Sequence, residues 1–204
     1  MKVLVAFEFS GIVREAFAKR GHDAWSCDLL DTEIPGQHTK GDVLEILDDG
    51  WDLMIAHPPC THLSKAGGWC WKFKGKEQKE ALCFVKELMN APIDHIALEN
   101  PVGLINTAIR KPDQIIHPYY FGDPWLKETC LWLKNLPKLT YVLRDDMFYK
   151  ATATEPQGNW VKPGNVRNRR FNRVPEGGKR NAHDRSRFFP GIAEAMATQW
   201  GDLT

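Results

Sequence analysis

The sequence lacks any apolar run that approaches the roughly 18 residues needed to span a membrane. Glu8 interrupts its apolar start, so the chain does not begin with the layout of a signal peptide. The five cysteines are an odd number without CxxC spacing, which argues against a disulfide framework and favours reduced thiols in a cytosol. These absences indicate an intracellular protein with no membrane partner.

The sequence also has little excess of charge of either sign. Its 27 Lys and Arg balance 26 Asp and Glu, which gives a net charge of +1. This balance excludes neither nucleic acid nor a small molecule as a partner, so the distribution of charge is more informative than its sum. The 204 residues, of which 43% are hydrophobic, predict one domain with a sizeable core.

Apolar runs that end at turn signals predict a parallel sheet. Residues 2–7 form such a run, and apolar residues at helical spacing follow from Ile12 until Gly21 ends the helix. The same pattern predicts further strands and a helix, namely strands over 23–28, 52–56 and 93–98, a short third element around 41–43, and a helix over about 76–90. Because strands alternate with helices, we expect an α/β fold with helices on both faces of the sheet.

The second half of the chain changes character. Residues 115–116 and 119–121 resemble one strand, 122–124 a turn and 129–133 a returning strand, which predicts a hairpin at one edge of the sheet. Residues 150–187 lose periodicity and carry ten Lys or Arg against three acidic residues, which indicates a long basic loop. Helical periodicity returns over 191–200.

Two short motifs follow two of the predicted strands. Pro58-Pro59-Cys60-Thr61 comes after the strand at 52–56, and Glu99-Asn100-Pro101-Val102 comes after the strand at 93–98. Open α/β sheets place their chemistry at the ends of such strands, so we expect a thiol and a carboxylate to meet there. The alternative is that Cys60 is a buried structural thiol and Glu99 a surface cap.

The order of the motifs resembles that of the cytosine-C5 DNA methyltransferase family over roughly residues 2–134 and the final helix. The resemblance rests on segments that each follow their own strand, namely Phe9-Ser10-Gly11, Asp28, Gly41-Asp42-Val43, Pro58-Pro59-Cys60, Glu99-Asn100 and Gly122-x-Pro124. It implies the class I fold of S-adenosylmethionine-dependent methyltransferases, a Rossmann-like mixed seven-stranded sheet with helices on both faces. It also implies that S-adenosylmethionine binds at the carboxyl edge of the sheet.

The resemblance assigns the cofactor contacts. The family packs an aromatic residue at the place of Phe9 on the adenine, and the turn at Gly11 lets the backbone approach the methionine part while the helix from Ile12 presents free N–H groups to its carboxylate. Carboxylates at the strand ends would bind the ribose hydroxyls and the adenine amino group. The expected contacts are Phe9, Ser10, Gly11, Ile12, Asp28, Asp42 and Pro58. Alternatively, the glycine forms only a tight turn and the acids are solvated. Val13 stands where the family usually has a second glycine.

The resemblance also implies catalytic roles. The thiolate of Cys60 would add to cytosine C6 and so make C5 nucleophilic, while Glu99 would hydrogen-bond or protonate N3 and Asn100 would hold the turn. Lys127 falls on the first arginine of the family motif Gly-x-Pro-Gln-x-Arg-x-Arg, which helps to position the base. Trp125 and Thr129 replace the glutamine and the second arginine. An exposed hairpin lysine is the alternative for Lys127.

The segment 61–71 after Cys60 resembles the family's mobile loop. Ser64 is a candidate DNA contact, and Trp69 and Trp71 would stack on a base when the loop closes, unless they pack inward. His57, Cys60, His62 and Cys70 could be counted as zinc ligands, but their spacing fits no established structural zinc pattern, so we expect no metal.

The family usually has a long target-recognition domain between the region of Lys127 and the final helix, and this sequence has no such domain there. Between Lys127 and the final helix only the basic stretch 161–187 remains, and its side chains can neutralise phosphates. The candidate DNA contacts there are Arg167, Arg169, Arg170, Arg173, Lys179 and Arg180. Short versions of this kind resemble phage-encoded ones, which implies the cytoplasm of a bacterium or of a phage-infected cell.

Three functions stay open on the sequence alone. The first is transfer of a methyl group from S-adenosylmethionine to cytosine C5 in DNA. The second is nucleic-acid binding by a degenerate, inactive methyltransferase core. The third is a related enzyme that acts on RNA or on a free pyrimidine nucleotide. The presence of both Cys60 and Glu99 favours an enzyme, because a binding module needs neither.

Overall fold

A seven-stranded sheet forms the centre of the fold. The computed structural model describes residues 1–65, 75–145, 148–156 and 187–202. The strands are β1 (Lys2–Ala6), β2 (Asp23–Asp28), β3 (His38–Lys40), β4 (Leu53–Ala56), β5 (His95–Pro101), β6 (Gln114–Ile116) and β7 (Thr129–Lys134). The α-helices are α1 (Ile12–Ala18), α2 (Gly75–Met89), α3 (Ile105–Ala108) and α4 (Pro190–Trp200).

The strand order is β3-β2-β1-β4-β5-β7-β6. The five strands from β3 to β5 are parallel, whereas β7 runs antiparallel to both of its neighbours. This mixed seven-stranded sheet with helices is the class I fold of S-adenosylmethionine-dependent methyltransferases, as expected. Within the described residues, no helix has both the length and the apolar character required to cross a membrane.

Alternating side chains of the central strands bury two separate cores. Val3 and Val5 of β1 face the core that α1 and α4 cover, whereas Leu4 and Ala6 face the core that α2 and α3 cover. β4 follows the same alternation. The side-chain period of two along a strand therefore determines which face each residue beyond the strand ends can reach.

Most predicted elements are confirmed, with two corrections. The third element is a strand at His38–Lys40, and residues 43–45 form a 3₁₀ turn capped by Asp42. Residues 118–121 are also a 3₁₀ turn rather than a strand, because Pro118 begins it with a fixed φ and no N–H for a ladder. The hairpin at the edge is confirmed by the pairing of β6 with β7. Most of the predicted basic loop, residues 157–186, lies outside the described residues.

Candidate active site

Cys60 lies in an exposed turn directly after β4. Its thiol forms no disulfide, and its carbonyl oxygen accepts hydrogen bonds from the N–H groups of Leu63 (3.0 Å) and Ser64 (2.8 Å). The alternative of a buried structural thiol is therefore wrong. Because β1, β4 and β5 are parallel, the turn lies at the carboxyl edge of the sheet, where Glu99 and Asn100 of β5 also lie.

Two contacts join the Cys60 turn to β5 and the segment that follows it. The side-chain amide of Asn100, which is buried, donates a hydrogen bond of 2.8 Å to the carbonyl oxygen of Pro58. Leu104 N–H donates to the carbonyl oxygen of Leu63 at 2.8 Å, and a Cβ atom at Gly103 would collide with that oxygen. These contacts with β5 and the segment after it therefore hold the Cys60 turn in place.

Glu99 is 7% exposed, so it is not a surface cap. Its Oε2 atom lies 3.4 Å from Nδ1 of His57, and its Oε1 atom is buried without a hydrogen-bond partner among the described residues. Burial acts to raise the pKa of Glu99, but the Lys127 ammonium and the hydrogen bond and charge of His57 outweigh it and lower the pKa. The carboxylate form is thus favoured, with one oxygen available to a ligand.

Lys127 reaches the site from the segment between β6 and β7. Its Nζ atom lies 5.2 Å from the ring centroid of Phe189, and its charge acts on Glu99. The segment is fixed to the start of α4, because Asp123 accepts a hydrogen bond of 2.7 Å from Gly191 N–H. Lys127 is half-buried beside the carboxylate, so the alternative of an exposed hairpin lysine is wrong.

The predicted adenosine contacts lie at the ends of β1, β2 and β3. Asp28 accepts a hydrogen bond from Leu30 N–H (2.9 Å) and Asp42 one from Leu44 N–H (3.0 Å), each through Oδ1. Leu29, next to Asp28, is 73% exposed and offers an apolar surface beside this carboxylate. These residue types suit a nucleoside, whose base needs an apolar contact and whose ribose needs acceptors.

Gly11 forms the turn that the sequence predicts. It has a left-handed φ of 73°, and a Cβ atom there would lie 2.8 Å from Nη2 of Arg14. Phe9 is largely buried, and its carbonyl oxygen accepts a hydrogen bond from Glu33 N–H. Arg14 is buried and donates to Ile34 and Ser26, so it holds the segment after β2 against the start of α1.

The expectation of free N–H groups at the start of α1 is wrong. Glu8 accepts hydrogen bonds from Val13 N–H at 2.7 Å and Arg14 N–H at 3.1 Å, and Ile12 N–H lies 3.4 Å from the Ser10 hydroxyl. The side chain of Val13 packs into the core. Burial raises the pKa of Glu8, although these N–H groups, the charge of His57 and the Ser10 hydroxyl act against it.

The remaining expected contacts are placed in part. Pro58 is buried in the Cys60 turn, and Ser64 forms a bridge with Gly103 beside it. Among the described residues, no group of three or more His, Cys, Asp and Glu is arranged to hold a metal ion. Several residues lie outside the described part of the chain, namely Trp69, Cys70, Trp71, Arg167, Arg169, Arg170, Arg173, Lys179 and Arg180.

No model of a protein family matches the sequence, and no curated protein matches it. A methyltransferase of Entamoeba histolytica, EhMeth, is similar in structure, with 15% identity, a TM-score of 0.49 and coverage of 80% of this chain and 60% of that chain. A triple-substituted variant of DNMT2 from Spodoptera frugiperda is similar over 71% of this chain and 53% of its own, with 15% identity and a TM-score of 0.42. The chain thus spans little more than half the length of either protein. Its own strand order defines the fold.

Sequence reasoning gave no catalytic or binding role to Glu8 and His57, and it included Phe188 and Phe189 only in the stretch 185–192 that resembles the family's last motif. The Phe188 ring lies 4.4 Å from the His57 ring, and Phe189 lies below Lys127. Two of them left a signal, because Glu8 is a charged residue at the end of an apolar strand and His57 directly precedes the Pro58-Pro59-Cys60 motif.

Proposed function

We propose that this protein is an enzyme that transfers a methyl group from S-adenosylmethionine to C5 of cytosine in DNA, with Cys60 as the nucleophile. One observation carries the proposal. An exposed thiol lies in a turn that Asn100 joins to β5, and the same strand holds a buried carboxylate, one oxygen of which has no hydrogen-bond partner among the described residues. A purely binding protein has no use for this pairing.

The chemistry of cytosine explains why both groups are needed. C5 is a poor nucleophile, so the Cys60 thiolate first adds to C6 and moves electron density toward C5. Negative charge then develops on the ring at N3, and Glu99 offsets it by donating a proton there. Lys127 stands beside the carboxylate and keeps positive charge close to the same ring. Finally, water takes the C5 proton, the C5–H electron pair re-forms the C5=C6 bond, and Cys60 leaves as the thiolate, which restores the aromatic base.

The cofactor contacts fit S-adenosylmethionine in their adenosine half. Asp28 ends β2, Asp42 follows the neighbouring strand β3, and the exposed Leu29 next to Asp28 offers an apolar contact for a base. When bound, the cofactor supplies the methyl group. The N–H groups at the start of α1 bond to Glu8 and Ser10, so we assign them no role with its methionine carboxylate.

DNA is the proposed partner because of the basic composition of residues 150–187 and the resemblance of the motifs. This stretch contains ten Lys or Arg and only three acidic residues, a composition that suits contact with a phosphate backbone. The recognised sequence would be short, since no long segment is left to read base edges.

The deciding experiment traps the covalent intermediate. In DNA that contains 5-fluorocytosine, fluorine replaces the C5 proton and blocks the final elimination, so a stable protein–DNA adduct should accumulate with S-adenosylmethionine. Cys60→Ser should abolish the adduct, and Glu99→Gln should slow its formation about 10²-fold. Cys83→Ser is the matched control, because Cys83 is likewise exposed and outside any disulfide but lies on α2.

Each outcome selects one function. An adduct that survives Cys60→Ser refutes the nucleophile. An adduct that forms only with RNA, or only with a free cytidine nucleotide, refutes DNA as the substrate. Binding of DNA without adduct or methyl transfer on any of these substrates supports the inactive binding protein.

A further inference from the structure

A histidine contacts one buried carboxyl group at the carboxyl edge of the sheet, and its charge acts on a second one. Glu8 follows β1, His57 follows β4 and Glu99 lies in β5, and these three strands are neighbours. Residues 53, 55 and 57 share one face of the sheet with residue 97, so the alternation that orients the core also brings His57 and Glu99 together.

The contacts of the His57 ring are specific. Its Nδ1 atom lies 3.4 Å from Oε2 of Glu99, its Nε2 atom is buried without a partner among the described residues, and its centroid lies 4.4 Å from that of Phe188. The side chain is only 12% exposed. The charged groups that act on the pair are Glu8 from the end of β1 and Lys127 from the segment before β7.

The proposed reaction places a proton demand on Glu99 that this residue alone does not meet. Lys127 and His57 favour its ionised form, yet it must donate a proton when Cys60 adds to the base. A carboxylate that is ionised in the free enzyme therefore needs a proton donor within reach. Among the described residues, His57 is the titratable side chain that contacts the Glu99 carboxylate, through its Nδ1 atom.

We propose that His57 is the proton reservoir of this site, which passes a proton from Nδ1 through the Glu99 carboxyl group to N3 of the base. This inference rests on the proposed function. As the S–C6 bond forms, electron density from the C5=C6 bond shifts through C4 toward N3. The Nδ1–H bond of the imidazolium breaks, and N3 gains the proton. His57 ends neutral and Glu99 ends ionised. The proton returns along the same path when the thiol leaves.

His57 is a positioning and proton-holding residue, since it acts through Glu99. The variant His57→Asn tests this role, because its amide keeps a donor near the place of Nδ1 but cannot release a proton at neutral pH. His95→Asn is the matched control, since His95 begins β5 at the opposite edge, where its Nδ1 atom lies 3.3 Å from the Asp52 carbonyl oxygen.

The first readout does not depend on activity. Carbon-13 NMR of glutamate carboxyl groups, with the Glu99 signal assigned through Glu99→Gln, follows the titration of Glu99. Loss of the His57 charge should raise the pKa of Glu99 in His57→Asn, whereas His95→Asn should leave it as in the parent. Equal titration of Glu99 in His57→Asn and the parent overturns the inference.

The second readout is the rate of adduct formation with 5-fluorocytosine DNA. His57→Asn should slow adduct formation by about 10-fold or more, and the pH profile of the rate should lose its dependence on the protonation of His57. The affinity for S-adenosylhomocysteine should stay unchanged. A parental rate and pH profile overturn the inference. If the parent itself forms no adduct, the proposed function fails, and the NMR titration still decides whether His57 and Glu99 share a proton. His57→Gln replaces His57→Asn if that variant does not fold.

Discussion

Replacing Glu8 with alanine should destabilise the protein by an amount that depends on pH. The carboxyl group accepts the Val13 N–H at 2.7 Å, the Arg14 N–H at 3.1 Å and the Ser10 hydroxyl at 3.2 Å, all of them buried. A buried donor left without a partner costs about 1–3 kcal/mol. The cost of burying the carboxyl group offsets part of this, so we expect a loss of about 2–4 kcal/mol in the free energy of unfolding at about pH 5.

The sign of the pH dependence follows from the pKa of Glu8, which burial raises above its ordinary value of 4.5. A group with a raised pKa in the folded state stabilises the protein fully below the pKa of the unfolded chain, and this contribution falls as pH rises through the folded value. The difference between Glu8→Ala and the parent should therefore be smaller at about pH 8 than at about pH 5.

Urea denaturation of both proteins at the two pH values measures this difference. Glu45→Ala is the control, because Glu45 is an exposed glutamate on a 3₁₀ turn and its loss should change stability by less than about 0.5 kcal/mol at either pH. A difference for Glu8→Ala that stays constant, or grows toward the higher pH, would refute the raised pKa of Glu8.

Two further predictions concern the site. Asn100→Ala removes the hydrogen bond to Pro58, so the free energy of unfolding should fall by about 1–3 kcal/mol and adduct formation by about 10-fold or more; the exposed Asn90→Ala is the control, and an unchanged adduct rate would contradict the role of Asn100. Asp28→Ala should weaken S-adenosylhomocysteine binding by about 1.5–3 kcal/mol in calorimetry, because it removes charged hydrogen bonds to the ribose. Asp31→Ala is the control and should leave this affinity unchanged, because Asp31 is exposed and pairs with Lys40. Equal affinity of the Asp28 variant and the parent would assign the ribose to another residue.

The order of elements was predictable from sequence because the signals for strands, helices and turns are local. Apolar runs gave β1, β2, β4 and β5, and helical spacing gave the start of α1 and most of α2. Residues 118–121 were misread because their aromatic side chains favour a strand, while Pro118 imposes a 3₁₀ turn. The fixed φ of Pro118 therefore outweighs the preference of the following aromatic residues for a strand.

The chemical groups of the candidate site were also predictable in part. Cys60 and Glu99 each follow or end an apolar run, and the order of the motifs gave their proposed roles. The burial of Glu99 and the exposure of Cys60 were not decided by these motifs, since the alternative reading had both reversed. Neighbouring elements bury Glu99, and its contact with His57 helps to lower the pKa of its carboxyl group.

The sequence by itself determined which side chains stand at the end of each strand, because a strand and its turn are encoded within a few residues. Only the tertiary structure decided that Glu99 contacts His57 and that the charge of His57 acts on the buried Glu8. That contact depends on β4 pairing between β1 and β5, on the register of these strands, and on Phe188 from the distant end of the chain. Residues separated by tens or hundreds of positions meet only after the sheet and its covering helices have packed.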